Sequence, residues 1–191
     1  MTINEQYLAG FFDGEGSVSL SVSYRMRHGK INPRLDFKCQ ISITQTNRKI
    51  LDEIQAYLGY GKVIETKSHS TISKYAIYHT LEMVNLKSVK DFSFLIKNYS
   101  HLKKKQLEII NEVSTMLYNK KIEKRRYYKK SEFLAMLNAS IEIRGENMKT
   151  HTSKNDERSE KIKQIIKDIE KMDLEYIKST ELYQFSSVSG I

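Results

Sequence analysis

Apolar and polar positions along the chain fall into short runs of two kinds, one alternating and one at helical spacing. Across 17–28, Val18, Leu20, Val22 and Tyr24 occupy one side, while Ser17, Ser19, Ser21, Ser23, Arg25 and Arg27 occupy the other. Successive side chains leave a strand on opposite faces, so this period of two predicts a half-buried strand with a polar face. After a turn at 29–33 the pattern resumes. Leu35, Phe37, Cys39, Ile41 and Ile43 face inward, while Arg34, Asp36, Lys38, Gln40, Ser42 and Thr44 face outward. The two runs form a hairpin whose open face carries hydrogen-bond donors and acceptors of several types. A face serving solubility alone would be richer in Lys and Glu.

Helical spacing takes over at 47–59, where Ile50, Leu51, Ile54 and Leu58 line one side and Gly59 closes the segment. Two more strands are expected at 62–67 and 73–80, the second alternating through Tyr75, Ile77 and His79. Helices follow at 85–98 and 102–119, the latter burying Leu107, Ile110, Val113 and Leu117. Beyond it, 131–143 reads as a helix and 144–156 as a polar, irregular and mobile loop. A last helix at 157–176 has Ile162, Ile165, Ile166, Ile169 and Met172 on one stripe; 186–191 is a loose end.

Before the first strand lies Tyr7-Leu8-Ala9-Gly10-Phe11-Phe12-Asp13-Gly14-Glu15-Gly16-Ser17-Val18. It predicts a short apolar helix at 6–13 with small residues, Ala9 and Gly10, in its middle. Glycine in a helix interior costs about 1 kcal/mol relative to alanine, a cost that close approach of a second helix repays. Glycines at 14 and 16 permit an abrupt stop and a turn into the strand. Glu15 then sits at a helix C-terminus, where the macrodipole disfavours a carboxylate. A cation beside it is expected. A carboxylate with a freed carbonyl such as that of Gly14 supplies the hard oxygen ligands that suit Mg²⁺.

The order through the first 119 residues is α-β-β-α-β-β-α-α, without crossover helices between neighbouring strands. This is the pattern of an α+β fold, an antiparallel sheet with helices on one side. At 191 residues the chain is long enough for a core that folds alone. Lys plus Arg number 32 against 23 acids, a net charge of +9, which favours a polyanionic partner. The stretch 101–130 concentrates that charge, with Lys103, Lys104, Lys105, Lys120, Lys121, Lys124, Arg125, Arg126, Lys129 and Lys130 against Glu108, Glu112 and Glu123. A single cysteine, Cys39, excludes an intramolecular disulfide and a multi-cysteine zinc site. No run approaches the ~20 apolar residues of a membrane span. The motif helix begins too near Met1 for a targeting peptide, so the expected location is intracellular: an organelle if an organelle encodes the chain, otherwise the cytoplasm.

The segment from Leu8 to Ser17, with its acid before the last glycine, resembles the signature helix of the LAGLIDADG homing endonucleases. The motif occurs once; the nearest second candidate, 133–140, lacks the glycines and the acid and reads as a plain core helix. The resemblance covers 3–125 well and the remainder loosely, giving an endonuclease core at 1–125 and a helical C-terminal extension at 126–191.

That resemblance implies a saddle fold whose curved antiparallel sheet lies along double-stranded DNA. It implies a homodimer with motif helices packed through Ala9, Gly10 and Asp13, cutting both strands of a long pseudo-palindromic site in intron or intein mobility. It implies Mg²⁺ held by Glu15 of each subunit with Gly14, Mn²⁺ substituting and Ca²⁺ supporting binding without efficient cutting. Gln45 is then the water-positioning residue and Lys103 the charge stabiliser, with Lys105 as the alternative lysine. The DNA contacts it implies are Ser19, Ser21, Ser23, Arg25, Arg27, Arg34, Asp36, Lys38, Gln40, Ser42, Thr44, Arg48, Lys62, Lys67, Lys74 and Lys105. Two other readings share the fold: an intron RNA maturase and a DNA-binding regulator with a dead site. Neither needs an acid facing phosphate, so Glu15, Gln45 and Lys103 together favour catalysis.

Overall fold

A computed structural model describes residues 2–27, 30–68, 76–148 and 156–177, with side chains left out at 24–27, 30–35, 67, 68, 76, 148, 156 and 157. The elements run α1 (Glu5–Glu15), β1 (Gly16–Arg27), β2 (Lys30–Gln45), α2 (Arg48–Leu58), β3 (Lys62–Ser68), β4 (Ala76–Met83), α3 (Leu86–Ile96), α4 (Lys104–Ile122), β5 (Tyr128–Lys129), α5 (Lys130–Met148), α6 (Asp156–Glu170) and β6 (Tyr176–Ile177). The fold is α+β, with a four-stranded sheet in the order β1-β2-β4-β3 and antiparallel pairing at β2/β4 and β4/β3. The chain divides into two compact units, residues 1–18 with 39–115 and residues 19–38 with 116–191.

In the first unit the alternation of β2 does what its sequence requires. Cys39, Ile41 and Ile43 are buried, as are Leu81 and Met83 of β4, and Ile41 stands opposite Met83 in register. Helices α1, α2, α3 and α4 add Leu8, Phe12, Leu51, Ile54, Val89, Phe92, Ile96, Leu107, Ile110 and Val113 to that core. The rings of Phe12 and Phe92 meet edge to face at 5.3 Å, and burying each is worth about 1.5–3 kcal/mol. Burial also pushes the Cys39 thiol up to about 12, so it stays protonated and unreactive. Three helices open on asparagine: the side chains of Asn4, Asn47 and Asn85 accept from the N–H groups of Tyr7, Lys49 and Lys87. Helix α2 stops at Gly59, whose φ of +73° is a left-handed C-cap.

The second unit gathers Phe37, Tyr128 and Phe133 into an aromatic cluster with centroid separations of 5.3–6.2 Å. Phe133, Met136 and Leu137 are buried on α5, the plain core helix read from the sequence, and Ile162, Ile165, Ile166 and Ile169 form the buried stripe of α6. Arg125 bridges to Glu132 at 2.9 Å and 3.1 Å through both terminal nitrogens.

Several boundaries differ from the sequence expectations. Helix α1 continues through Gly14 and Glu15, and neither Gly14 nor Gly16 has a positive φ; among the described residues only Gly59 and Gly61 do so as glycines. Strand β2 already begins at Lys30, inside the expected turn, and β4 runs on to Met83 because Leu81 and Met83 continue its inward face. Residues 144–148 are helical, an extension of α5, while 149–155 lie outside the described residues. Helix α6 ends at Glu170, since Tyr176 and Ile177 are taken into a two-residue strand against Tyr128 and Lys129.

Candidate functional site

The end of α1 is the most densely constrained place in the first unit. Glu15, the last helical residue, is exposed, and its carboxylate has no hydrogen-bond or ion-pair partner among the described residues. The last four carbonyls of a helix lack intrahelical donors and carry the negative end of its dipole. Here the Phe12 carbonyl accepts from the Gly16 N–H, and the Asp13 carbonyl accepts from the ammonium of Lys103. No basic residue occupies the last turn of α1. The terminal carbonyl of Asp13 is thus met by a lysine 90 residues away in sequence, just before α4.

Asp13 fixes the segment that delivers that lysine. Its Oδ2 accepts from the backbone N–H of His101 at 2.8 Å and of Leu102 at 3.2 Å. Its Oδ1 accepts from the N–H of Lys103 at 3.2 Å and from the hydroxyl of Ser100. Burial alone would raise the Asp13 carboxyl, but the bonds from Ser100, His101, Leu102 and Lys103 together hold it below the usual carboxylate range. The Asp13 carboxylate is therefore committed within its own chain. Ala9, expected at the interface, is fully buried in the core of the first unit. Gly10 is exposed and would accommodate a Cβ without meeting any atom of its own chain.

The polar side of the sheet within the first unit is linked across strands. Ser17 and Ser42 hydroxyls lie 2.8 Å apart and those of Thr44 and Thr80 3.1 Å apart, while Gln40 Nε2 reaches Glu82 Oε1 at 3.4 Å. Lys62 is exposed and stands opposite Glu82 in register. Glu82 is absent from the sequence-derived set because the sequence places the end of β4 at Thr80, and Thr80 because the alternation is read there through Tyr75, Ile77 and His79; the β2/β4 register shows both. Gln45 has a different setting. It pairs with His79, which shares the parity of buried Leu81, and its Oε1 accepts from the N–H and hydroxyl of Thr46. It therefore shares the sheet face of Ile41 and Ile43 rather than that of Gln40 and Ser42.

The remaining expected residues are dispersed. Ser19 and Lys38 are exposed, and Ser21, Ser23 and Asp36 half-buried, in the second unit. Arg48 pairs with Asp52 at 3.3 Å on the first turn of α2. Lys105 is exposed on the first turn of α4. The side chains of Arg25, Arg27, Arg34 and Lys67 and the whole of Lys74 lie outside the described residues. Charge in 101–130 is less available than its sequence suggests. Lys120 stands 4.0 Å over the Tyr128 ring, Lys130 donates to the carbonyls of Glu170 and Met172, and Arg125 is bound by Glu132 and Glu123.

A model of the LAGLIDADG endonuclease family matches residues 8–113. Among solved structures, the archaeal intron-encoded homing endonuclease I-Vdi141I, complexed with DNA, is similar over 87% of this chain and 96% of its own, with 21% identity and a TM-score of 0.62. The homing endonuclease I-CvuI, complexed with its target in the presence of Ca, is similar over 88% and 95%, with 18% identity and a TM-score of 0.61. I-TnaI, also a homing endonuclease, is similar over 88% and 99%, with 18% identity and a TM-score of 0.56. At these identities the structures establish the fold. No functionally curated protein sequence matches the chain.

Proposed function

The chain belongs to the LAGLIDADG endonuclease family, which makes it a site-specific DNA endonuclease, and we propose that it works as a divalent-metal-dependent homodimer on a long pseudo-palindromic site. The observation that carries the metal and the dimer is the state of Glu15: an exposed carboxylate without a protein partner, at a helix end, on a chain with one such motif. Among the described residues no three His, Cys, Asp or Glu side chains come together. One acid from each of two protomers makes up a ligand set that one chain lacks, and two-fold symmetry then matches a pseudo-palindrome. No helix among the described residues is long and apolar enough to cross a membrane.

Glu15 and the carbonyl of Gly14 offer hard oxygen donors that fit Mg²⁺, with Mn²⁺ as a substitute. I-CvuI has been crystallised on its target in the presence of Ca and, with the DNA not cleaved, on another target in the presence of Mg, which is consistent with a divalent ion here. Bound there, the ion would lower the pKa of a water and neutralise phosphate charge. The protein supplies the rest. Lys103, placed at the α1 terminus, offsets charge developing on the phosphate. Gln45, released from Thr46 by a χ rotation, orients the attacking water. Gln40, Ser42 and Thr44 in the first unit, and separately Ser19 and Lys38 in the second, offer base-reading groups. We take 1–125 as the endonuclease core and 126–191 as its extension, acting inside the cell wherever the target DNA lies.

Incubation of the purified protein with host genomic DNA and Mg²⁺, with sequencing of the ends produced, tests this reading. Paired breaks at one recurrent, roughly symmetric sequence, absent in EDTA, are expected. Binding of RNA without any DNA break would replace it with the maturase reading.

A further inference from the structure

We propose that Asp13 is a positioning residue for the cleavage reaction, fixing Lys103 against the turn of helix that carries Glu15. This rests on the role proposed above for Lys103 and adds a residue that does not itself face DNA.

Lysine is a flexible four-carbon stem, and a charge that must act at one point is useful only when that stem is held. Lys103 is held twice. Its backbone N–H reaches the Asp13 carboxylate at 3.2 Å, and its ammonium reaches the Asp13 carbonyl. Both anchors belong to one residue, two positions before Glu15. The ammonium also stands 6.0 Å from the ring of Phe12, so the stem lies along the last turn of α1. The carboxylate collects three consecutive N–H groups, those of His101, Leu102 and Lys103, together with the buried hydroxyl of Ser100. Three amides converging on one anion form a nest, which sets the start of α4 relative to the end of α1. A carboxylate accepts from all of them; an asparagine of the same shape turns an N–H₂ group toward one pair of donors. Asp13→Asn should therefore keep the packing and loosen Lys103.

Loss of stability would be expected of any buried carboxylate network, so the test is a double-mutant cycle read in catalysis. Single-turnover cleavage of a plasmid carrying the mapped site is measured with saturating protein and Mg²⁺ for wild type, Asp13→Asn, Lys103→Ala and the double variant. Affinity for the same duplex in Ca²⁺ and thermal unfolding are followed in parallel. Removing one electrostatic stabiliser should slow cleavage about 100-fold in Lys103→Ala. Asp13→Asn should lose about 10-fold or more with DNA affinity unchanged, and the double variant should be no slower than Lys103→Ala alone. If the two losses multiply, Asp13 does not act through Lys103 and the proposal fails while the role of Lys103 stands. A wild-type rate for Lys103→Ala overturns that role and the proposal with it. Where Asp13→Asn does not fold, Ser100→Ala, which removes one anchor and keeps the charge, must show the same dependence on Lys103.

Discussion

Gly16 shows how a residue can be fixed for a reason its sequence context does not announce. Its φ of −86° is open to any residue, but a Cβ there would come within 2.1 Å of the Phe12 ring. Space, and not backbone freedom, excludes a side chain. Gly16→Ala should cost about 1–3 kcal/mol by overpacking and lower the melting temperature by several degrees, read by thermal unfolding. Charge gives a second case. The Arg125 hydrogen bond, then the Lys129 N–H, hold the Glu132 carboxyl below its ordinary value against the opposing effect of burial. A depressed folded pKa stabilises the protein above the unfolded value, near pH 4.5, and the contribution disappears as pH falls through the folded value. Unfolding by denaturant between pH 6 and 3 should therefore show a steeper acid loss for wild type than for Glu132→Gln. The composition of 101–130 announces a basic surface, and Glu15 is legible from the motif alone. Which lysines and arginines are engaged internally depends on partners such as Glu132 and Tyr128 that only the fold brings near.

At the scale of elements, periodicity was informative wherever a segment was long and half-buried. The inward face of β2 and the buried positions of α4 were both legible, because one face of each meets the core. Two-residue strands carry no period, so β5 and β6 were invisible; their pairing is fixed by tertiary contact between Tyr128 and Ile177. The C-terminal end of α1 departs from its local sequence signal for a related reason. Glycine disfavours helix locally, but burial of Phe12 and the hold of Lys103 on the Asp13 carbonyl keep the turn helical through Gly14. Gly59 closes α2 as its sequence predicts, since a glycine after the last apolar position is a local signal with a local cause. Its φ of +73° makes the further prediction that Gly59→Ala destabilises by about 1–2 kcal/mol, measurable as a shift of the urea midpoint.

For the molecule as a whole, the decisive question is whether two copies combine. Gly10 is exposed and has room beside it within its own chain, so Gly10→Leu should leave the monomer folded while blocking approach of a second α1. Light scattering of the two proteins, free and with DNA, should then show a wild-type dimer and a variant monomer, with cooperative thermal unfolding showing that the variant is folded. A wild type that stays monomeric on its DNA at micromolar concentration would remove the two-subunit site.

The chemistry itself rests on Glu15, and the most direct measurement compares wild type with Glu15→Gln on a plasmid carrying the mapped site. Binding in Ca²⁺ and single-turnover cleavage in Mg²⁺ are followed side by side. The substitution removes the ligand charge and keeps the shape, so the variant should bind with wild-type affinity and cut neither strand. Cleavage by Glu15→Gln at the wild-type rate would contradict the assignment of Glu15 as the metal-holding acid.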